Sequence, residues 1–207
     1  MAMTVEEILS RYPEPLVQRP LADYFRGNEA ARRYLEVCAA KGWPARVYHL
    51  TIRCLDIERR ARPFLAIGYE DRNEVVTYPD QGWWAKVYRK PGYPALFIDQ
   101  AYADDRGKKS FLPEWVKRFG EDCFHHVAVL VDDIEAAIAA MRASGVEFSG
   151  EVVGARGTRL RQIFTEAEQR EGQAFSVLEL AERRGYDGFV PEQADGLMQA
   201  SKKIKSR

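Results

Sequence analysis

Two stretches of this 207-residue chain repeat each other without a gap. His49-Leu-Thr-Ile-Arg-Cys-Leu-Asp-Ile-Glu aligns with His126-Val-Ala-Val-Leu-Val-Asp-Asp-Ile-Glu. His49 meets His126, Asp56 meets Asp133, Ile57 meets Ile134 and Glu58 meets Glu135. Further on, Ala66, Gly68 and Glu70 meet Ala143, Gly145 and Glu147, giving seven identities over 22 positions. Composition alone gives about one or two. The chain therefore holds two copies of one structural unit.

In the second copy, VAVLV reads as a buried strand. Asp133 suits a helix N-cap, Ile134, Ile138 and Met141 follow at helical spacing, and Gly145 suits the helix end. VEFSGEVV, RLRQIFT and AFSVLELAE then read as strands. In the first copy YHLTIRCL precedes a helix after Asp56, and NEVVTY, WWAKVYRK and YPALFID follow, the last two joined at Pro91-Gly92. Each unit reads β-α-β-β-β, and the fold class is α+β. Pro63 falls inside the first unit's helix and predicts a kink or a shortening.

The remainder divides around these units. Residues 1–45 read as a helical extension: a capping box at Thr4 and Glu7 opens a short helix that Pro13 to Pro20 ends, and a second helix runs through ADYFRGNEAARRYLEVCAAKG. The first module with its linker takes 46–122, the second takes 123–190, and a C-terminal helix and basic tail take 191–207. Thirty-one Lys and Arg balance thirty-one Asp and Glu. Zero net charge argues against a nucleic-acid partner and against electrostatic membrane binding. No apolar run approaches the ~18 residues of a membrane span. Cys38, Cys54 and Cys123 form no CxxC pair, so neither a disulfide framework nor a thiolate zinc site is indicated. MAMTVEEILSRYPEP is acidic and broken by prolines, unlike a secretory signal, and the expected compartment is the cytoplasm.

Strand alternation sets out the candidate chemistry. On the first strand Leu50, Ile52 and Cys54 share one face, while His49, Thr51 and Arg53 share the other. Phe175, Val177, Glu179 and Ala181 share a face of the last strand, so Glu179 is a lone carboxylate among apolar neighbours. It must be exposed, paired with Arg183 or Arg184, or bound to a metal. Two of the chain's three histidines occupy one repeat position. If the copies pack about a pseudo-twofold axis, His49 and His126 approach each other, and Glu179 completes a three-donor face. Two neutral imidazoles and one carboxylate form the facial set of non-haem Fe(II) oxygenases, which leaves positions open for substrate and O2. Alternation puts His125 on the wrong face. Trp83, Trp84 and Tyr88 read as core and sheet surface, and Gly154 and Gly157 as a turn.

With these residues the chain resembles the vicinal oxygen chelate superfamily, which builds a half-open metal-binding bowl from two βαβββ modules. More narrowly it is similar to the C-terminal part of the 4-hydroxyphenylpyruvate dioxygenase family. GKKSFLPEWVKRFGEDCFHHVAVLVDDIEAAIAAMRASGVEF resembles that family's linker and second module, and LRQIFTE and FSVLELAERRGYDGF its last strands. The resemblance implies iron ligands at His49, His126 and Glu179, with no catalytic residue beyond them. It implies pocket positions at Gln162 and Phe164, and an aromatic from the closing helix at Phe189. It implies O2-dependent oxidation of a small 2-oxo or aromatic acid at Fe(II).

The chain departs from that family in places. Its N-terminal modules are replaced by about 45 helical residues. Its Asn-Glu-Pro after the first module's last strand is Asp99-Gln100-Ala101, and its polar amide four residues after the first histidine is Arg53. Arg53 is expected to bind a substrate carboxylate, the alternative being a pair with Asp99. Asp99 follows His49 by 50 residues and Glu179 follows His126 by 53, which makes Asp99 the expected repeat partner of Glu179. A fourth ligand at Asp99 or Gln100 is the mark of a lyase, isomerase or epimerase using Zn, Ni, Co or Mn. A non-catalytic ligand-binding role is the third reading. A monomer and a homodimer both stay open.

Overall fold

The computed structural model describes residues 4–188 and 190. Phe189 and the expected helix at 191–207 lie outside the described residues. The described residues form a mixed α+β fold of six α-helices and nine strands.

Three helices lead: α1 (Val5–Leu9), α2 (Pro15–Gly27) and α3 (Glu29–Lys41). The capping box at Thr4 and Glu7 is present, with both hydrogen bonds made. The proline stretch differs from expectation, because it starts a helix as well as ending one. Pro15 takes the first turn of α2, where a missing N–H costs nothing, and Pro20 lies within the helix. The helix expected over 22–42 is two helices, divided at Asn28. The Asn28 side chain accepts from Ala31 N and so caps α3.

The first module is β1 (Arg46–Cys54), α4 (Ile57–Ala66), β2 (Glu70–Tyr78), β3 (Trp83–Arg89) and β4 (Ala95–Ala101). After α5 (Leu112–Phe119) come β5 (Phe124–Leu130), α6 (Ile134–Ala143), β6 (Phe148–Val153), β7 (Arg161–Thr165), β8 (Glu168–Arg170) and β9 (Gln173–Glu182). β8 is a three-residue addition to the expected pattern and pairs with β9.

The repeat identities have structural causes. Asp56 accepts from Arg59 N and Asp133 from Ala136 N, each capping its helix, a role worth about 1 kcal/mol. Ile57 and Ile134 follow the caps and are buried. Gly68 and Gly145 follow the helices at φ +92° and +88°, a region that favours glycine. Pro63 does not shorten α4, which has the same 10 residues as α6.

The strands lie in the order β2-β3-β4-β1-β5-β9-β7-β6 in an open sheet. β1 pairs parallel with β4, and β5 with β9, while β1 and β5 meet antiparallel at the seam between modules. At the seam His49 faces Ala128, Leu50 faces Val127 and Thr51 faces His126. A shift of 77 residues exchanges the first and last of these pairs, so the pseudo-twofold axis passes between Leu50 and Val127. The ladder slips twice, once beside Tyr48 and once beside His125, and each is the extra residue of a β-bulge.

One face of the sheet carries the main core. Leu50, Ile52, Val127, Leu178 and Leu180 lie at 1 % exposure or less and pack against α1, α2, α3, α4 and α6. Each such side chain contributes about 1.5–3 kcal/mol. The N-terminal helices therefore cover the sheet's back and not the bowl. The Tyr24 hydroxyl donates to Val177 O at 2.5 Å, and Asn28 Nδ2 donates to Ser176 Oγ at 3.1 Å, tying them to β9.

Candidate metal centre

His49, Thr51, His126 and Glu179 project from the other face of the sheet, where the seam crosses the bowl. His49 Nε2 lies 3.0 Å from His126 Nε2 and 3.3 Å from Glu179 Oε2. His126 Nε2 lies 3.6 Å from the same oxygen and 2.9 Å from Thr51 Oγ1. The two histidines and the glutamate are buried, and their donor atoms lie within 4.8 Å of one another. Glu179 Oε1 and His49 Nδ1 are buried without a hydrogen-bond partner. A buried carboxylate with one oxygen beside two imidazoles and the other left unpaired is costly in a bare protein, and a divalent cation removes that cost. Two imidazoles and one carboxylate suit a first-row transition ion. Arg183 and Arg184 are engaged elsewhere: Arg184 Nε donates to Glu182 Oε1 and Arg183 Nε to Tyr186 O, both at 3.0 Å.

His125 departs from the alternation argument. The bulge turns it toward the bowl side, where its ring meets Trp115 edge-on at 5.9 Å. Its Nδ1 lies 3.0 Å from His126 Nδ1. It stays outside the donor set but touches it. Burial first, then the charge of Arg53, holds the pKa of His125 well below the ordinary value. For His126 burial leads, followed by His49 and Arg53.

The donors open on a cavity of about 60 Å3. At ~15 Å3 per water that is room for about four waters. Phe97, Asp99, Gln162, Phe164, Trp83 and Val190 are among its lining residues. The Phe97 ring sits 4.7 Å from the His49 ring, and the Phe164 ring 5.3 Å from the His126 ring. The Gln162 amide makes no hydrogen bond to a described residue. Trp83 Nε1 is a buried donor without a partner. Trp83 belongs to a buried apolar cluster, as its reading as core and sheet surface expects, and also lines the cavity.

The expected repeat partner of Glu179 is corrected. Glu179 pairs with Ala128, whose twofold equivalent is Thr51, and Thr51 pairs with Phe97. Asp99 pairs with Arg53, two residue pairs further along. Counting residues between elements misplaced the match, because the loops of the two modules differ in length. Gln100 is committed elsewhere, its Oε1 accepting from Ile57 N at 2.7 Å.

Arg53 is 2 % exposed and lines a neighbouring groove of about 610 Å3 rather than the metal cavity. Its guanidinium stacks over Phe111 at 4.7 Å and Trp115 at 5.0 Å. It makes no hydrogen bond to a described residue, and its Nε is buried without a partner. The expected alternative, a contact pair with Asp99, is not formed within 4.0 Å, although the two are cross-strand neighbours. Burial lowers the Arg53 pKa to about 9, with Asp99 opposing, so it stays charged at neutral pH. Burial likewise raises Asp99 to about 7, with Arg53 opposing.

The family model of the Glyoxalase/Bleomycin resistance protein/Dioxygenase superfamily matches residues 48–164. A comparison with curated proteins gives no match. Among solved structures, the chain is similar to hydroxyglutarate synthase in complex with 2-oxoadipate from Oryza sativa, at TM-score 0.75 and 16% identity over 98% of this chain and 95% of that one. It is similar to a protein from Shewanella frigidimarina NCIMB 400, provisionally described as a hydrolase, at TM-score 0.69 and 19% identity over 92% and 99%. It is also similar to a mutant 4-hydroxymandelate synthase from Streptomyces coelicolor, at TM-score 0.58 and 18% identity over 75% and 54%. At these identities the likeness is one of fold. No helix among the described residues is long and apolar enough to cross a membrane.

Proposed function

The chain belongs to the Glyoxalase/Bleomycin resistance protein/Dioxygenase superfamily, and on that premise we propose that it is an Fe(II)-dependent dioxygenase of the 4-hydroxyphenylpyruvate dioxygenase-like kind, acting on a small 2-oxo acid with O2. One observation carries the reading. The twofold equivalent of Glu179 is Phe97, whose ring stands 4.7 Å from His49. A phenyl ring cannot ligate, so the described residues offer three donors. His49, His126 and Glu179 would hold the ion, and the rest of its coordination sphere stays free for substrate and O2. A lyase, isomerase or epimerase built on Zn, Ni, Co or Mn would be better served by a fourth protein donor at that position.

Bound Fe(II) supplies O2 activation and Lewis acidity toward a chelating 2-oxo acid. The protein's own groups do the remaining work. Phe97 and Phe164 keep bulk water from the donors. Gln162 and the Trp83 N–H offer hydrogen bonds to substrate oxygens. Arg53 lies on the same strand face as His49 and Thr51, and its unpaired guanidinium would take a second carboxylate at the substrate's far end. The 2-oxoadipate bound to the Oryza sativa neighbour has that chemistry. A cavity of about 60 Å3 must widen to admit such an acid.

Protein purified without oxygen and loaded with Fe(II) should consume O2 and release CO2 with a member of a 2-oxo acid panel. If Fe(II) binds but no acid supports O2 uptake, while a Zn, Ni, Co or Mn form isomerises or cleaves a substrate, the oxygenase reading fails. If no metal binds, a ligand-carrying role replaces both.

A further inference from the structure

We propose that His125 is a positioning residue for the metal centre, holding His126 by accepting its Nδ1 proton. The inference rests on the reading of His49, His126 and Glu179 as metal donors. His126 turns Nε2 toward the other two donors. A neutral imidazole carries one N–H, and a coordinating nitrogen must keep its lone pair, so the His126 proton belongs on Nδ1. Nδ1 lies 3.0 Å from His125 Nδ1. Two ring nitrogens at that distance share one proton. His125 must therefore present a bare Nδ1 and carry its own proton on Nε2. The ring is 5 % exposed and packed edge-on against Trp115, which limits its turning.

The bulge is what makes the contact. In regular alternation residues 125 and 126 would face opposite ways. The first module has the same bulge but no matching acceptor. Its bulged residue, Tyr48, donates its hydroxyl to Asp187 Oδ1 at 2.7 Å, and His49 Nδ1 is left without a partner. The two imidazoles are thus held unequally. Outer partners of metal-bound histidines fix the tautomer and raise ligand basicity, and their loss typically costs about 10–100-fold in metal affinity.

The test is Co(II) titration of wild type, His125→Phe and His125→Asn, read by calorimetry and by the visible Co(II) absorption, with the melting of each metal-free protein measured alongside. Asparagine places an acceptor oxygen near the position of Nδ1, whereas phenylalanine keeps ring volume without an acceptor. His125→Phe is expected to bind Co(II) about 10–100-fold more weakly, with an altered absorption band, and His125→Asn to recover affinity. Equal affinity of His125→Phe and wild type overturns the inference. So does an equal loss in both variants when both melt as wild type, because packing alone would then be the cause. Failure of wild type to bind Co(II) would instead overturn the metal reading itself.

Discussion

Tyr48 and His125 occupy the same place in the two modules, 77 residues apart, and each is the extra residue of a bulge directly before a histidine of the centre. The two positions have diverged in what they hold. The Tyr48 ring lies 3.9 Å under the Arg183 guanidinium, and its hydroxyl meets Asp187 in the segment after β9. His125 meets Trp115 of α5 and the back of His126. The same backbone device therefore fastens the segment after β9 on one side of the bowl and, on the proposed reading, would orient a metal donor on the other.

Ion binding should be visible as stability. A divalent metal at 100 times its dissociation constant stabilises the native state by about 2.7 kcal/mol. For a chain of this size that is a rise of about 5–10 °C in the melting midpoint. His126→Ala and Glu179→Ala should each melt cooperatively without metal and show no such rise. Calorimetric scans with and without Fe(II) or Co(II) check this, and a full rise in either variant would remove that residue from the centre.

Restoring the twofold match of Glu179 should change the chemistry. Phe97→Glu places a carboxylate beside His49. Divalent metal should bind at least as tightly as in wild type, while O2 consumption falls because a free coordination position is lost. Paired metal titration and oxygen-electrode measurements decide it. Retained O2 uptake with the carboxylate bound would refute the three-donor argument.

Arg53→Leu should discriminate by substrate. A charged hydrogen bond lost from a buried site costs about 1.5–3 kcal/mol, or about 10–100-fold in kcat/KM. That loss is expected for a 2-oxo acid with a second carboxylate and not for a monocarboxylic one. Equal losses for both acids would mean that Arg53 is structural.

Asp99 should leave a signature in the pH dependence of stability. Its folded pKa, about 7, lies above the ordinary 3.8, so the native state holds more protons between those values. The native state then loses stability as pH rises from about 4 through about 7, by an amount of the order of a few kcal/mol, and this loss is absent below both values. Asp99→Asn should flatten that part of the profile. Denaturant midpoints at pH 5 and pH 7.5 in both proteins measure the difference, and parallel profiles would contradict the assignment.

The legible features of the sequence were those set by local chemistry. A helix cap needs a side-chain acceptor, so Asp56 and Asp133 announced where α4 and α6 begin. A left-handed residue after a helix favours glycine, so Gly68 and Gly145 marked where they end. The repeat then brought His49 and His126 to equivalent places, and the structure gathers both with Glu179. What stayed hidden depends on pairing between distant strands. The turn of His125 toward the bowl follows from a slip in the β1–β5 ladder, which no single strand encodes. The match of Phe97 to Glu179 follows from strand register and not from residue count. The break at Asn28 does have a local signal, Gly27 followed by a residue that caps helices, but the helix-favouring residues beyond that pair outweighed it in the reading of one continuous helix.

The seam has a mechanical side. The two imidazoles stand on opposite strands of the ladder that joins the modules, so an ion between them would act as a rivet across it. Peeling the halves apart would then require releasing the cation first. Starved of metal, the same molecule would part along that line more readily and be cut sooner by proteases. The supply of that cation would then govern how long each copy lasts.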